Sequence, residues 1–477
     1  LEPTVTKSSP IRVRVDATKV LRAAEPRIIG MNSNYILDHA KMRAAGQGYV
    51  EGLRQMGVKT LRYPGGEKSD SYLWAAPPHF KKPQPSLARI GGTPGREWPS
   101  PIIDLVKDFK QFIHKPLDFD EFMAICQELG AEPILVICFD CMYKPAPVGG
   151  WRADKKTLMK AAVEWVRYAN VVKKYGVRYW EIGNESYLNT YNGGCRPEEY
   201  ARDLADFSRA MKKVDPSILI GANGPHGRDE SGQLGRAHGV IWWEEVLKRS
   251  AAHIDWLTVH PYPCWEWGSY DWYRLQPTDF TEAARGAIGA LKKWAPKHAK
   301  RIRIAATELN SADWSSGGWA FLNNLGHALV LFDMLGEHLL IKELDHAAVW
   351  NTRWVSPKPA SLWDSLDPQN RLNPTGVALS IWSRFLKDDM VRATAGGPLK
   401  AYASAGKDGS YNLFVINREL HAQKALLPAG LPKAAWSFTG KGPDDFKPKF
   451  KKTGLPRGGQ ATLPPVSLTV FEYPAKK

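Results

Sequence analysis

The sequence predicts an α/β fold: a (β/α)8 TIM barrel over residues 21–385 with a C-terminal antiparallel β-sandwich over 386–477. Three observations carry that reading. Short apolar, β-branched runs alternate with longer segments of helical period through most of the chain, as repeated βα units closing a parallel sheet require. Two of those runs lead into a glutamate, Trp180-Glu-Ile-Gly-Asn-Glu185 and Ile304-Ala-Ala-Thr-Glu308, and barrel enzymes place catalytic groups at strand C-termini. After about Asn373 the pattern changes to short alternating stretches separated by turn residues, which suits a small antiparallel unit. A chain of 477 residues has room for both, since one core rarely grows to that size.

The strands of the barrel are expected at 27–34, 60–63, 132–139, 179–182, 218–222, 256–260, 302–307 and 347–350, with helices at 118–129, 156–174, 197–214 and 321–337. Phe122, Ile125, Cys126 and Leu129 fall at i, i+3, i+4 and i+7, one apolar face. Pro197 can open its helix and Gly130 can stop the one before it. The largest insertion, 67–117, is rich in Pro and Gly and carries Arg89, Arg96 and Trp98; loops of that length commonly serve as lids or cleft walls. The sandwich strands are expected at 399–403, 411–416, 426–427 and 467–473, with Lys407-Asp-Gly-Ser410 as a hairpin turn. Residues 11–15 alternate apolar and basic side chains, so segment 1–20 is expected to add a strand to that sandwich.

Composition excludes more than it assigns. No run reaches the roughly 18–20 apolar residues that a membrane helix needs, and 134–139 is far too short, so no membrane partner is expected. The formal charge is +16, but Lys292, Lys293, Lys297 and Lys300 lie near a helix end and Lys447, Lys449, Lys451 and Lys452 in the tail. They make no single basic stripe and no recognition motif accompanies them, so no nucleic-acid partner is expected either. The five cysteines match no zinc spacing, and Cys138-x-x-Cys141 lacks a second pair or a redox-type helix start; neither metal nor cofactor is expected. The chain starts at Leu1 with no initiator Met and no apolar leader, as either a processed export product or an excised stretch of sequence would; the first implies a secreted or periplasmic location.

The chemistry rests on Glu185 and Glu308. Hydrolysis of a glycoside with retention needs two carboxyl groups about 5–5.5 Å apart, one to attack the anomeric carbon and one to protonate the leaving oxygen. Two strand-end glutamates facing each other across a barrel mouth meet that need. Either one alone reads as well as a salt-bridge partner at a loop start.

Trp-Glu-Ile-Gly-Asn-Glu resembles the fourth-strand signature of clan A glycoside hydrolases, which are retaining (β/α)8 enzymes. Leu61-Arg-Tyr-Pro-Gly-Gly66, residues 121–133, Asn373-Pro-Thr-Gly-Val-Ala-Leu379 and Ser467-Leu-Thr-Val-Phe-Glu472 are similar to the α-L-arabinofuranosidase branch of that clan. The resemblance implies that Glu185 is the acid/base and Glu308, ending the seventh strand, the nucleophile. It implies that Asn184 binds the sugar 2-hydroxyl, Arg62 keeps the nucleophile ionised, Tyr262 donates to Glu308, and Trp350 floors the reacting-sugar subsite. His260 reads as a substrate contact or as a loop brace. In the aromatic run 261–273, Trp265 and Trp267 are expected as sugar platforms, with loop-bracing core as the alternative. Asn34, like Asn32, ends the first strand and could bind a hydroxyl or cap the loop.

The chain departs from the branch after Pro-Gly-Gly, where Asn is usual and Glu67-Lys68-Ser69-Asp70 stands here. Glu67 and Asp140 add carboxylates near the expected mouth, each a substrate contact or half of an ion pair. The expected function is therefore a retaining glycoside hydrolase acting by double displacement on a polysaccharide or its oligosaccharides. The +16 charge leaves an acidic or sulfated glycan open. The alternatives are an exo-acting α-L-arabinofuranosidase and, from another class, a non-catalytic carbohydrate-binding protein, which predicts missing carboxylates where this chain has both.

Overall fold

Eight parallel strands close the barrel in chain order: Gly30–Asn32, Thr60–Tyr63, Glu132–Ile137, Tyr179–Ile182, Leu219–Asn223, Trp256–Val259, Arg303–Leu309 and Leu344–Val349, the last pairing back onto the first. The computed structural model describes residues 9–72, 74, 106–107, 111–112, 114–143, 153–188, 195–225, 236–237, 240–314, 319, 321–354 and 361–475. Of the 67–117 insertion, Arg89, Arg96 and Trp98 lie outside the described residues, and so does the expected lid or cleft wall.

The first strand is shorter than its apolar run suggests. Pro26–Ile28 forms a 3-10 turn, with Pro26 opening it and the Glu25 carboxylate accepting from the Arg27 N–H. Gly30 then makes the closure of the barrel possible: a Cβ there would sit 2.1 Å from the Ala347 carbonyl oxygen of strand eight. The helices follow their signals. Phe119–Leu129 starts on an Asp118/Glu121 capping box and stops at Gly130 in the left-handed region (φ 61°). Pro197–Lys212 starts on its proline. Lys155–Val166 runs on as a wider π turn, Arg167–Val172. No helix among the described residues is long and apolar enough to cross a membrane.

The β domain has a seven-stranded sheet ordered Arg14–Ala23, Asp389–Thr394, Leu399–Ala405, Tyr411–Asn417, Ser467–Tyr473, Ala434–Thr439, Lys449–Thr453. A second, three-stranded sheet joins Ile11–Arg12, Gln423–Leu426 and Gln460–Leu463. The N-terminal segment thus feeds both sheets, and its longer strand pairs with Asp389–Thr394 as far as Ala23. Tyr411–Asn417 is buried along its whole length. Leu413 and Val415 pack with Val13, Ala425 and Leu463 between the two sheets. Phe414 faces the other way, onto the barrel's outer helices, where Trp382 stacks 4.4 Å from Phe332 and meets Phe414 at a tilt, 4.5 Å away. A strand covered on both faces reads as continuously apolar, so its sequence marks a strand without marking which side is the core. By contrast Lys449–Thr453 is a mostly exposed, lysine-rich edge strand with no apolar alternation, and it went unpredicted for that reason.

Candidate active site

Arg62, the third residue of strand two, is fully buried at the centre of the barrel mouth. Its Nε donates to Glu181 Oε2 at 2.7 Å, its Nη1 to Glu308 Oε1 at 2.9 Å and Asn32 Oδ1 at 3.0 Å, and its Nη2 to Asn184 Oδ1 at 2.7 Å. Only a planar guanidinium supplies donors in so many fixed directions. Burial opposes its charge, yet Glu181 and then Glu308 outweigh that and raise its pKa above the ordinary value. Glu181 also accepts from Thr258 (2.7 Å) and Thr307 (3.1 Å), so both buried ions are well satisfied. Sequence reading missed Glu181 and the role of Asn32. The available signal was a glutamate inside an otherwise apolar strand, which needs a cation.

Glu308 is held on both oxygens, Oε1 by Arg62 and Oε2 by the Tyr262 hydroxyl at 2.9 Å. Glu185 is held differently. It sits in the turn after strand four, where Gly183 (φ 74°) and Glu185 itself (φ 50°) are left-handed. A non-glycine residue there is strained and persists only when its surroundings dictate it. Those surroundings are Asp140 Oδ2, which accepts the Asn184 N–H at 2.9 Å, and Asn223 Oδ1, which accepts the Ser186 N–H at 2.9 Å. Glu185 is partly exposed and lies 2.9 Å from His260 Nδ1.

His260 Nε2 lies 3.1 Å from Thr307 Oγ1, whose hydroxyl donates to Glu181. Nε2 must therefore carry a hydrogen, so the Glu185–Nδ1 contact holds one further proton, on either partner. Burial disfavours the imidazolium, but Glu308 and then Glu185 overcome this and raise the His260 pKa. His260 is thus placed as a brace of the acid/base turn more than as a free substrate contact.

One oxygen of Glu185, one nitrogen of His260 and one oxygen of Glu308 lie within 4.8 Å of one another. That matches the spacing of retaining glycosidases and falls short of the about 6.5–9.5 Å of inverting ones. Among the described residues this trio is compact enough for a cation. However, Arg62 already holds Glu308 and would repel one, so the donor set suits proton chemistry.

Trp350 follows the eighth strand and is buried against the turn after strand two. A Cβ at Gly66 (φ 54°) would lie 2.6 Å from the Trp350 ring and 2.9 Å from Glu308 Oε1, so glycine lets the backbone approach both. Lys68 is buried with its ammonium 4.3 Å from the Trp354 ring centroid and 5.5 Å from that of Trp350, paired with Glu67. The departure from Asn is therefore an internally neutral ion pair. Asn34 caps its loop, Oδ1 accepting from the N–H groups of Ile36 (3.1 Å) and Leu37 (3.3 Å). Its Nδ2, the Nδ2 of Asn184 and both side-chain polar atoms of Asn351 are buried without a protein partner. Unsatisfied polar atoms of this kind are what the hydroxyls of a sugar would pair with.

The aromatic loop divides. The expectation for Trp267 as a platform is corrected: it is only 6% exposed and stacks on Trp319 and Tyr273, both at 6.3 Å, inside the core. Trp265 is 57% exposed and leans on Trp314, itself 41% exposed, at 5.2 Å. Trp314 meets Trp363 at 5.8 Å, and both meet Tyr262, at 6.2 and 6.1 Å. An aromatic ridge thus runs from the Glu308 partner Tyr262 out to Trp265. Trp314 and Trp363 were not singled out from sequence, because they come from two different loops that only the fold brings beside Tyr262.

The model of the alpha-L-arabinofuranosidase 1 domain matches residues 52–256, which include Arg62 and Glu185. Alpha-L-arabinofuranosidase C of Emericella nidulans is 29% identical over 197 residues, 37% of this chain and 32% of that protein. The probable alpha-L-arabinofuranosidase C of Aspergillus clavatus is 25% identical over 232 residues, 45% of this chain and 39% of its own length. The chain thus spans less than half the length of these curated relatives. The solved alpha-L-arabinofuranosidase of glycoside hydrolase family 51 from Thermotoga petrophila superposes with a TM-score of 0.68 at 19% identity, covering 97% of this chain and 99% of that one. A xyloglucanase of family 44 from Paenibacillus polymyxa gives 0.65 at 14% identity, with 98% and 100% covered. At such identities the structural likeness is one of fold: a barrel carrying a β domain. The partial sequence matches and the whole-chain fold likeness agree with the resemblance to the arabinofuranosidase branch of clan A that the motifs carry.

Proposed function

We propose that the protein is a retaining O-glycosyl hydrolase that cleaves a sugar polymer or its oligosaccharides by double displacement. The observation that carries this is the pair of glutamates from strands four and seven, within 4.8 Å and in unequal surroundings. Glu308, beside a guanidinium and a phenol, is the nucleophile. Its carboxylate attacks the anomeric carbon while the glycosidic C–O bond breaks and the Glu185 proton passes to the leaving oxygen. Water then enters, Glu185 takes its proton, the hydroxyl forms the new C–O bond, and the Glu308–sugar ester breaks. Asn184 Nδ2 is placed to bind a sugar hydroxyl, and Trp350 to floor the ring.

The reacting sugar is neutral. The acids around it are Glu185, Glu308 and Glu67, and Lys68 is already matched by Glu67. The +16 charge therefore has no outlet at the reaction centre. An exo-acting α-L-arabinofuranosidase is the favoured member of this class, supported by the partial likeness to such enzymes. The test is turnover, with the product anomer followed by NMR, on aryl α-L-arabinofuranoside, arabino-oligosaccharides, xyloglucan, and uronic-acid or sulfated glycans. Retention on a neutral substrate is expected. Inversion, or turnover confined to anionic glycans, would sink the reading.

The Tyr262–Trp363–Trp314–Trp265 ridge is the surface on which further sugar units lie. Aromatic contacts contribute about 0.5–1.5 kcal/mol each. Trp265→Ala and Trp314→Ala should each raise KM roughly two- to tenfold on oligosaccharides and leave the aryl glycoside unchanged. Trp267→Ala should instead lower stability by about 3–5 kcal/mol, read by denaturant unfolding.

A further inference from the structure

Behind the Glu185 turn lie two acids that the reaction does not use. Asp140 opens the short 3-10 turn Asp140–Met142 after strand three, and Asp70 lies in the turn Gly66–Ser71 after strand two. Both side chains are buried to within 1% of full burial. Asp140 Oδ2 accepts the Asn184 N–H at 2.9 Å and a hydrogen bond from Ser186. It packs so close to the chain that a Cβ at Gly183 would come within 2.6 Å of it. The Asp140 N–H donates to Asp70 Oδ1 at 3.1 Å. The remaining oxygens, Asp70 Oδ2 and Asp140 Oδ1, are buried with no protein partner.

We propose that Asp70 and Asp140 share one proton, and that Asp140, as a positioning residue, seats the Asn184–Glu185 turn while its side of the pair keeps negative charge near the acid/base. This rests on reading Glu185 as that acid/base. The titratable groups facing the pair are Cys138, Cys141, Tyr143, Cys195, Tyr200 and Glu185. Among the described residues no cation is among the main influences on either carboxyl. Two buried carboxylates without a cation cannot both ionise. Consistent with that, burial and then the Asp140 charge push Asp70 well above the carboxylate range, and burial pushes Asp140 up to about 7. A charge kept on Asp140 disfavours a second one on Glu185, and so helps Glu185 hold the proton that the leaving group needs.

The two acids make opposite predictions. Asp140→Asn keeps an acceptor for the Asn184 N–H but removes the charge, so Glu185 should lose its proton earlier. Asp70→Asn leaves that charge wholly on Asp140, so Glu185 should lose its proton later. The readout is the basic limb of kcat/KM against pH on an unactivated oligosaccharide, expected to move down by about one pH unit in the first variant and up in the second. On the matching 2,4-dinitrophenyl glycoside, which needs no protonation, neither variant should move the profile. Shifts in the same direction, or reduced rates with an unmoved limb, overturn the proposal. Should Asp140→Asn fail to fold, Asp70→Asn decides alone: a limb that stays or moves down overturns the pair. Glu185→Ala is run beside them. If it keeps wild-type turnover on the oligosaccharide, the acid/base reading fails, whatever the two aspartate variants do.

Discussion

Glu308→Gln is expected to lose turnover on every substrate, activated or not, by on the order of 10^5-fold, the scale of losing a covalent nucleophile. Neither group that holds it replaces it: Arg62 is a cation, and the Tyr262 phenol, pushed well above its ordinary range by burial and then by Glu308, stays protonated. Glutamine is preferred to alanine for a physical reason. Alanine would leave the Arg62 Nη1 donor short of a buried partner, and breaking a buried pair destabilises by about 3–5 kcal/mol, confusing lost chemistry with lost fold. In the truncated Glu308→Gly, which opens the nucleophile's face, added azide should restore a slow reaction by direct attack, giving a product of inverted anomeric configuration. Activity of Glu308→Gln within tenfold of wild type on an unactivated oligosaccharide would sink the nucleophile assignment.

Glu185→Ala should behave otherwise. A positioned general acid contributes about 10²–10⁴-fold, so turnover of unactivated substrates should fall by that amount. A dinitrophenyl glycoside, whose leaving group departs unaided, should form the Glu308 ester at near wild-type rate and then stall for want of a base. Azide should release that ester with retained configuration, the opposite outcome to Glu308→Gly. The basic limb of the pH profile should disappear with Glu185, because no donor then remains whose loss of a proton could slow departure of the leaving group. A uniform loss across leaving groups would show that Glu185 acts on structure and donates no proton.

Much of this was legible before folding. Thr60–Tyr63 and Tyr179–Ile182 were readable to the residue because barrel strands are buried on both faces and show as apolar runs. Glu185 was legible because it follows such a run into a turn, and Glu308 because it stands near the end of another. The first barrel strand was over-read, because its apolar run includes Ile28 and Ile29, which are buried in a 3-10 turn and its cap. The β-domain strands Asp389–Thr394, Ala434–Thr439, Lys449–Thr453 and Gln460–Leu463 were not read at all. Three of them are edge or half-exposed strands, which gain their order from pairing that local sequence does not encode, while Ala434–Thr439 is a mostly buried interior strand.

The barrel, its β domain and the strand-end placement of the two glutamates are readable from the sequence, because burial periodicity is a local property of the chain. What those glutamates touch is fixed by the folded arrangement. It separated Trp265 from Trp267, neighbours of like composition, by turning one to solvent and the other into the core. It put Glu181 on Arg62 and Asp70 beside Asp140, contacts that join residues far apart in the chain. Such pairings are set by which loops meet at the barrel mouth, and a strand's own residues specify its ends without specifying its neighbours' side chains.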